Sequence, residues 1–407
     1  MEKIAASLLA TAGIACAQTY NYDSSSETLV ITGKGNTVAD RITPEEPITP
    51  GSTVPGTSEI FGDTKEIILK DVWTSPDSIR IKYVEPTSEG NNTTLKLENS
   101  RLGASGDFDK GGTGLILILD SQSRLDLFGN RLTNTIRIEN QGHISCSNST
   151  VRENSYLWDN KTTTGSSGVL GGSGYYRFGN VSSIETDKDF GLIKTSGQIT
   201  DLEISGIYNV DGNSAKTIGD DAYIVGVNTS SSSDGQAMTI SGSLTIEAKQ
   251  GTGIGILANQ LGSDDVSLKN DYSGQIYVTA KDAFGVKVGK NAAKDPSAAG
   301  DIYSLSVGGL DINNTITSGS TQGEATGIYA KSVKRDLTAD AITVEGYTSA
   351  TGIHLTEGGR NLTISDMQVS ARNATATGII AARGIDTPVP TAGKLENIRI
   401  DNLEVSG

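Results

Sequence analysis

Cysteine, proline, histidine, tryptophan and positive charge are all scarce in this chain, and each scarcity removes a class of protein. There are 2 Cys, 9 Pro, 2 His and 2 Trp in 407 residues, and aromatic residues make up 5 %. Cys16 sits in the opening apolar run, so Cys146 stands alone in the body of the chain, and a lone thiol cannot staple a fold with disulfides. In HISCS it lies on an alternating apolar pattern, the setting of a small core residue rather than a reactive thiol. Two histidines leave little for imidazole chemistry, and the sequence has no CxxC pair, HExxH helix or P-loop. Lys plus Arg number 33 against 48 Asp plus Glu, a net of −15 with the acids dispersed. A nucleic-acid partner needs a basic patch, so that class is excluded. After the first residues no apolar run approaches the ~20 needed for a membrane helix.

What is present is glycine, small polar residues and repetition. Gly is 49 of 407, well above the usual ~7 %, and Ser, Thr, Asn and Asp crowd between short apolar runs. That is the texture of many short strands joined by turns. The opening MEKIAASLLATAGIACAQT has the form of an export signal over residues 1–17. Lys3 precedes an apolar run from Ile4 to Ala15, and Ala15-Cys16-Ala17 is a small-x-small site that places cleavage between Ala17 and Gln18. Lipid attachment at Cys16 is the rival reading, but Gly13-Ile14-Ala15 lacks the usual leucine. Residues 18–65 read as an N-terminal strand or cap followed by a linker, since 41–58 hold four of the nine prolines.

From residue 66 alternation takes over. EIILK, TTLKLEN, GLILILD, SRLDLFG, NTIRIEN and GHISCS place apolar residues two apart, one face buried and one wet. Residues 66–183 therefore read as degenerate repeats, interrupted by a long Gly/Ser-rich loop at 147–175. From 184 the repeat is explicit. EATGIYAKS at 324–332 returns as SATGIHLTE, TATGIIAAR, DAFGVKVGK, TGIGILANQ, AYIVGVNTS and DFGLIKTSG, with shared glycines at Gly191, Gly226, Gly255, Gly285, Gly327, Gly352 and Gly378. Each copy is followed by apolar-x-apolar-x-x-apolar-x-apolar, as in Leu362, Ile364, Met367 and Val369, or Leu305, Val307, Leu310 and Ile312. Leu202, Ile204 and Ile207 form a partial version, and in another copy Val266 and Leu268 stand apart from Ile276 and Val278. The two-residue gap implies a corner, with Asn, Asp or Gly supplying left-handed backbone at Asp366, Asn402, Gly308-Gly309 and Gly206.

Three short strands per ~25-residue repeat, coiled so that like stacks on like, predict an all-β fold: a right-handed, single-stranded parallel β-helix with three strands per rung. Ile256, Val286, Ile328, Ile353 and Ile379 form one core column, with Ala258, Val288, Ala330, Leu355 and Ala381 beside it. Thr326, Thr351 and Thr377 form a ladder, and Lys287, Tyr329, His354 and Ile380 share an outward slot in which His354 is an exposed residue.

On these motifs 66–407 resembles the secreted passenger regions of bacterial autotransporters and, more loosely, pectate-lyase-like β-helices. The resemblance implies an exported surface protein held by a C-terminal outer-membrane β-barrel. Here the chain stops in mid-rung, and a barrel needs on the order of 200 further residues, so 1–407 is expected to be a piece of a longer protein whose repeats continue. An unpaired cysteine suits a large bacterial exported protein.

No catalytic constellation emerges, and no catalytic, metal-binding or cofactor residue is assigned. Fragments of a polygalacturonase-like site exist (Arg80-Ile81-Lys82, Gly142-His143, Asp220-Asp221), but in reversed order and several rungs apart, whereas a glycosidase needs its carboxylates within about 10 Å. Asp264-Asp265 and Asp220-Asp221 are turn carboxylates with no stack to hold calcium. The expected role is structural or adhesive. Loops at 147–175, 291–300 and 386–393 would contact a cell-surface protein or glycan, with Trp158 and Tyr329 as candidate ligand-surface residues. Membrane attachment would come only through the missing translocator or another anchor. The alternative is a carbohydrate-active enzyme, a polysaccharide lyase or glycoside hydrolase, on the same fold.

Overall fold

The computed structural model describes residues 19–23, 25–26, 28–32, 41–42, 65–71, 73–74, 93–105, 115–128, 132–133, 135–147, 155–160, 166–171, 175–179, 184–186, 189–195, 199–212, 215–217, 223–230, 237–266, 268, 270–289, 299–314, 323–373, 375–383, 391–392 and 394–407. The signal segment with Cys16, Ala17 and Gln18, nearly all of the Pro-rich linker, Arg80-Ile81-Lys82 and Asp220-Asp221 lie outside them. Every regular element among the described residues is a strand, and pairing is overwhelmingly parallel. This is an all-β chain of many parallel strands, consistent with a β-solenoid. It divides into two units, Met1–Ser147 with Leu170–Tyr176, and Asn148–Val169 with Arg177–Gly407.

The first unit opens with an antiparallel hairpin, Thr19–Asp23 against Thr28–Thr32. In its turn Asp23 accepts hydrogen bonds from the Ser25 amide and hydroxyl at 2.9 and 2.7 Å. Among the described residues of this unit the pairings that follow are parallel. Thr28–Thr32 pairs with Glu66–Lys70, then Thr93–Glu98, Leu115–Leu119 and Thr135–Asn140 in succession. A second column runs Arg101–Ser105, Arg124–Phe128, His143–Ser147. Alternation delivers the core: Leu95, Leu97, Leu117, Leu119, Leu125, Ile138 and Ile144 are all buried. The turns between columns use short polar residues that tolerate positive φ and bond to the next layer. Asp71 and Asn99 have φ of 53° and 45°. The Asn99 side chain donates to Asp71 at 2.6 Å, and its backbone N–H to Asp120 at 2.8 Å.

In the second unit the repeats pair laterally in register. Ile193, Val227, Ile256, Val286, Ile328, Ile353 and Ile379 oppose one another in turn. The apolar-x-apolar-x-x-apolar-x-apolar pattern also stacks, Leu305 on Leu337, Leu362 and Ile398, and Ile312 on Val344, Val369 and Val405. The glycine column has a steric cause. A Cβ on Gly327 would lie 2.5 Å from the Gly352 carbonyl oxygen and 2.9 Å from Ile342 Cγ2, and Gly255, Gly285 and Gly352 are enclosed in the same way. These positions face the apolar side chains of the following strands, and only a hydrogen fits.

Five sequence expectations change. Gly191 opposes Val225, not Gly226, and buried Leu192 stands beside it in phase with the glycine column. At the partial copy Tyr208 and Val210 oppose Leu244 and Ile246, while Ile207 is exposed. Gly206 is left-handed, with φ of 114°, and the alternation continues through it, Ile204, Tyr208 and Val210 all being buried, without the two-residue gap that would have put Ile207 inward. Asn270 and Tyr272, not Val266 and Leu268, pair with Leu305 and Val307, and Val266 is exposed. Of the proposed corner residues only Gly206 is left-handed. Among the described non-glycine residues of this unit the left-handed ones are Asn361 and Asn397, with φ of 47° and 53°. They sit just before the apolar pattern and form an amide ladder, Asn397 donating to Asn361 at 2.9 Å and Asn361 to Asp336 at 3.0 Å. Finally, 147–175 is not a single long loop. It contains the strands Ser155–Asn160 and Ser166–Gly171 and the start of Tyr175–Gly179. Interlayer backbone hydrogen bonds hold glycine-rich segments extended that their own propensity would leave irregular.

Candidate outer-face site

The feature that departs most from a plain repeat is the outer face of the Gly-Ile strands in the second unit. Register places three outward columns there. The first holds Tyr223, Thr252, Asp282, Glu324, Ser349 and Thr375. The second runs Tyr156, Gly191, Val225, Ile254, Phe284, Thr326, Thr351 and Thr377. The third runs Asp159, Lys194, Asn228, Leu257, Lys287, Tyr329, His354 and Ile380 across the same pairings. The expected threonine ladder and outward slot are therefore neighbouring columns of one surface.

This face changes character along its length. In the earlier layers it is apolar and closed. Tyr156, Tyr223, Val225, Ile254 and Leu257 are buried together, with Phe284 packed against them. Polar atoms inside the cluster have partners: Asn228 donates to the Tyr156 hydroxyl at 2.6 Å, and the Tyr223 amide to Asp189 at 3.1 Å. Lys287 seals one end. Only 1 % exposed, it donates to the Tyr223 hydroxyl at 3.2 Å, and its ammonium lies 4.5 Å from the Tyr223 ring centroid and 4.9 Å from that of Phe284. Two rings and a hydroxyl give the cation part of the stabilisation it loses with its water. Asp282, in the same layer, has its carboxyl pushed above the usual range by burial, opposed by the hydrogen bond it accepts from the Glu324 amide at 3.2 Å.

In the later layers the face is polar and half-open. Tyr329 sits between Phe284 and His354, its ring edge-to-face with both, at centroid separations of 6.5 and 4.9 Å. Layer stacking at ~4.8 Å brings these slots together, and the perpendicular geometry suits aromatic quadrupoles. Thr351, Thr377, Ile380, Tyr329 and His354 are all partly accessible, and Glu324 is exposed. Burial raises the Tyr329 phenol and lowers the His354 imidazole. His354 is thus half-buried against a ring rather than the exposed residue expected.

The His354 shift carries a sign. Its charged form is disfavoured in the fold, so the unfolded chain binds the extra proton more readily. Stability is present in full above the unfolded histidine value, ~6.5, and is lost as pH falls through it. The melting midpoint should therefore drop more between pH 7 and pH 5 in the wild type than in His354→Gln. Equal drops in the two proteins would refute a role for His354.

Of the two ligand-surface candidates, Tyr329 lies on this face and Trp158 lies elsewhere in the repeat. Trp158 is in the strand Ser155–Asn160, and its backbone pairs with Ile193 in the column whose later members are buried core isoleucines and valines. The loops 291–300 and 386–393 lie mostly outside the described residues, apart from the short antiparallel pairing of Thr391–Ala392 with 382–383. Asp264 and Asp265 occupy an exposed turn whose carbonyls accept from the Arg335 guanidinium, as does that of Ser263 at 2.6 Å. Among the described residues no three His, Cys, Asp or Glu side chains gather as a metal site. Sequence reasoning missed Phe284, Lys287, Tyr223 and Tyr156 as members of one cluster. A signal existed for Phe284, an aromatic where later copies carry threonine before the shared glycine. No protein-family model matches the chain, and no curated protein or solved structure matches it.

Proposed function

We propose that this chain is an exported, surface-displayed rod, a right-handed parallel β-helix with three strands per rung like the autotransporter passengers it resembles, whose role is structural or adhesive. The observation that carries the reading is the parallel lateral pairing of the Gly-Ile strands from Tyr223 onward, in which equivalent residues of successive copies oppose one another. A solenoid of this kind presents long, flat, repetitive faces, and such faces serve binding better than they assemble a buried catalytic centre. The N-terminal export signal supplies the address, and contact with host or neighbouring cells would run through the segments between repeats and the half-open outer face. Purified residues 18–407 should adhere to cell surfaces in a saturable manner. Failure to bind any of a broad set of bacterial and host cells would sink the adhesive role.

A further inference from the structure

The later layers of the outer face have a composition that selects among ligands. Across 324–380 the three outward columns offer Glu324, Thr326 and Tyr329, then Ser349, Thr351 and His354, then Thr375, Thr377 and Ile380. Hydroxyls and one exposed carboxylate lie beside a strip of rings ending in an isoleucine, and none of the nine positions is Lys or Arg. Lys287, the nearest cation in the same column, is buried and turned toward Tyr223. Lys331, two positions beyond Tyr329, is 3.7 Å from the Glu357 carboxylate.

We propose that this face, centred on Tyr329, binds a neutral glycan chain; the proposal rests on the adhesive reading above and names its ligand class and surface. Pyranose rings present apolar C–H faces that lie against aromatic and aliphatic side chains, and hydroxyls that exchange hydrogen bonds with threonine hydroxyls and carboxylates. Tyr329 and His354 supply the first surface and Ile380 extends it. Thr351, Thr377 and Glu324 supply the second. Electrostatics then excludes the alternatives. Sialylated or uronic-acid chains and phosphate-bearing lipids need a cation to offset their charge, and here they would meet a carboxylate on a chain of net charge −15.

The test uses the purified full chain on an array of immobilised neutral oligosaccharides (gluco-, galacto- and N-acetylhexosamine chains) alongside sialylated and uronic-acid chains, with cell adhesion measured in parallel. Wild type should bind neutral members, Tyr329→Ala should weaken that binding about tenfold through loss of the central ring, and Tyr329→Phe should retain most of it. Thr351→Arg should lose neutral glycans and gain acidic ones. Unchanged circular dichroism and melting in each variant ties the effect to the surface rather than to folding. Preference of the wild type for acidic chains, or equal binding by wild type and Tyr329→Ala, would overturn the proposal. Cell adhesion that persists in Tyr329→Ala would remove this surface while leaving the adhesive role intact, whereas absence of both cell and array binding by wild type would remove both.

Discussion

Gly327→Val should lower stability by about 3 kcal/mol, the upper part of the usual range for overpacking a filled core, and should shift the urea midpoint accordingly. The added Cβ alone would sit 2.5 Å from the Gly352 carbonyl oxygen and 2.9 Å from Ile342 Cγ2. Neither can retreat readily, because the Gly352 carbonyl belongs to the neighbouring strand and Ile342 is a buried core side chain. The layer spacing is set by interstrand hydrogen bonds at ~4.8 Å and cannot open locally without breaking them. Glycine here answers to space rather than to backbone conformation, since the described residues with positive φ do not include Gly327. A loss below about 0.5 kcal/mol, the range of an ordinary surface substitution, would mean that the glycine column is not close-packed.

Ile353→Ala should cost roughly 2–5 kcal/mol. Ile353 is 0 % exposed and lies in the middle of its column, between Ile328 and Ile379. Truncation removes buried methyl groups and leaves a void bounded by layers above and below that cannot collapse into it. Ile207→Ala is the matched control. Ile207 also lies in a strand of the repeat, Ile207–Asp211, but is 48 % exposed, so its truncation should cost well under half as much. Chemical denaturation of the two variants side by side decides the point, and equal losses would contradict the assigned core.

Much of this architecture was legible residue by residue. Alternation placed the strands from Glu66 on, and the Gly-Ile motif predicted which residues of different copies stand opposite one another. Thr326, Thr351 and Thr377 are in register as expected, as are Lys287, Tyr329, His354 and Ile380. The misreadings occur where a copy departs from the common pattern or where propensity is weak. Across Gly206 the alternation of Ile204, Tyr208 and Val210 continues without the two-residue gap of the other copies, so Tyr208 rather than Ile207 faces inward. Within 147–175, glycine and serine read as loop, yet Ser155–Asn160 pairs along its length with Phe190–Thr195.

Local sequence determined that this is an all-β repeat, which side chains point inward in each regular copy, and where glycine is obligatory. Each follows from the period of two along a strand and the constant spacing between layers, both local properties of the chain. Only the tertiary structure decided what happens on the outward face. Lys287 and Tyr329 occupy the same slot in successive copies, yet Lys287 is buried against Tyr223, 64 residues away, while Tyr329 stands half-open against His354. Whether an outward position is covered depends on neighbours distant in sequence, and no periodicity within a strand encodes them. That coverage separates the closed apolar end of the face from the open aromatic strip where binding is proposed.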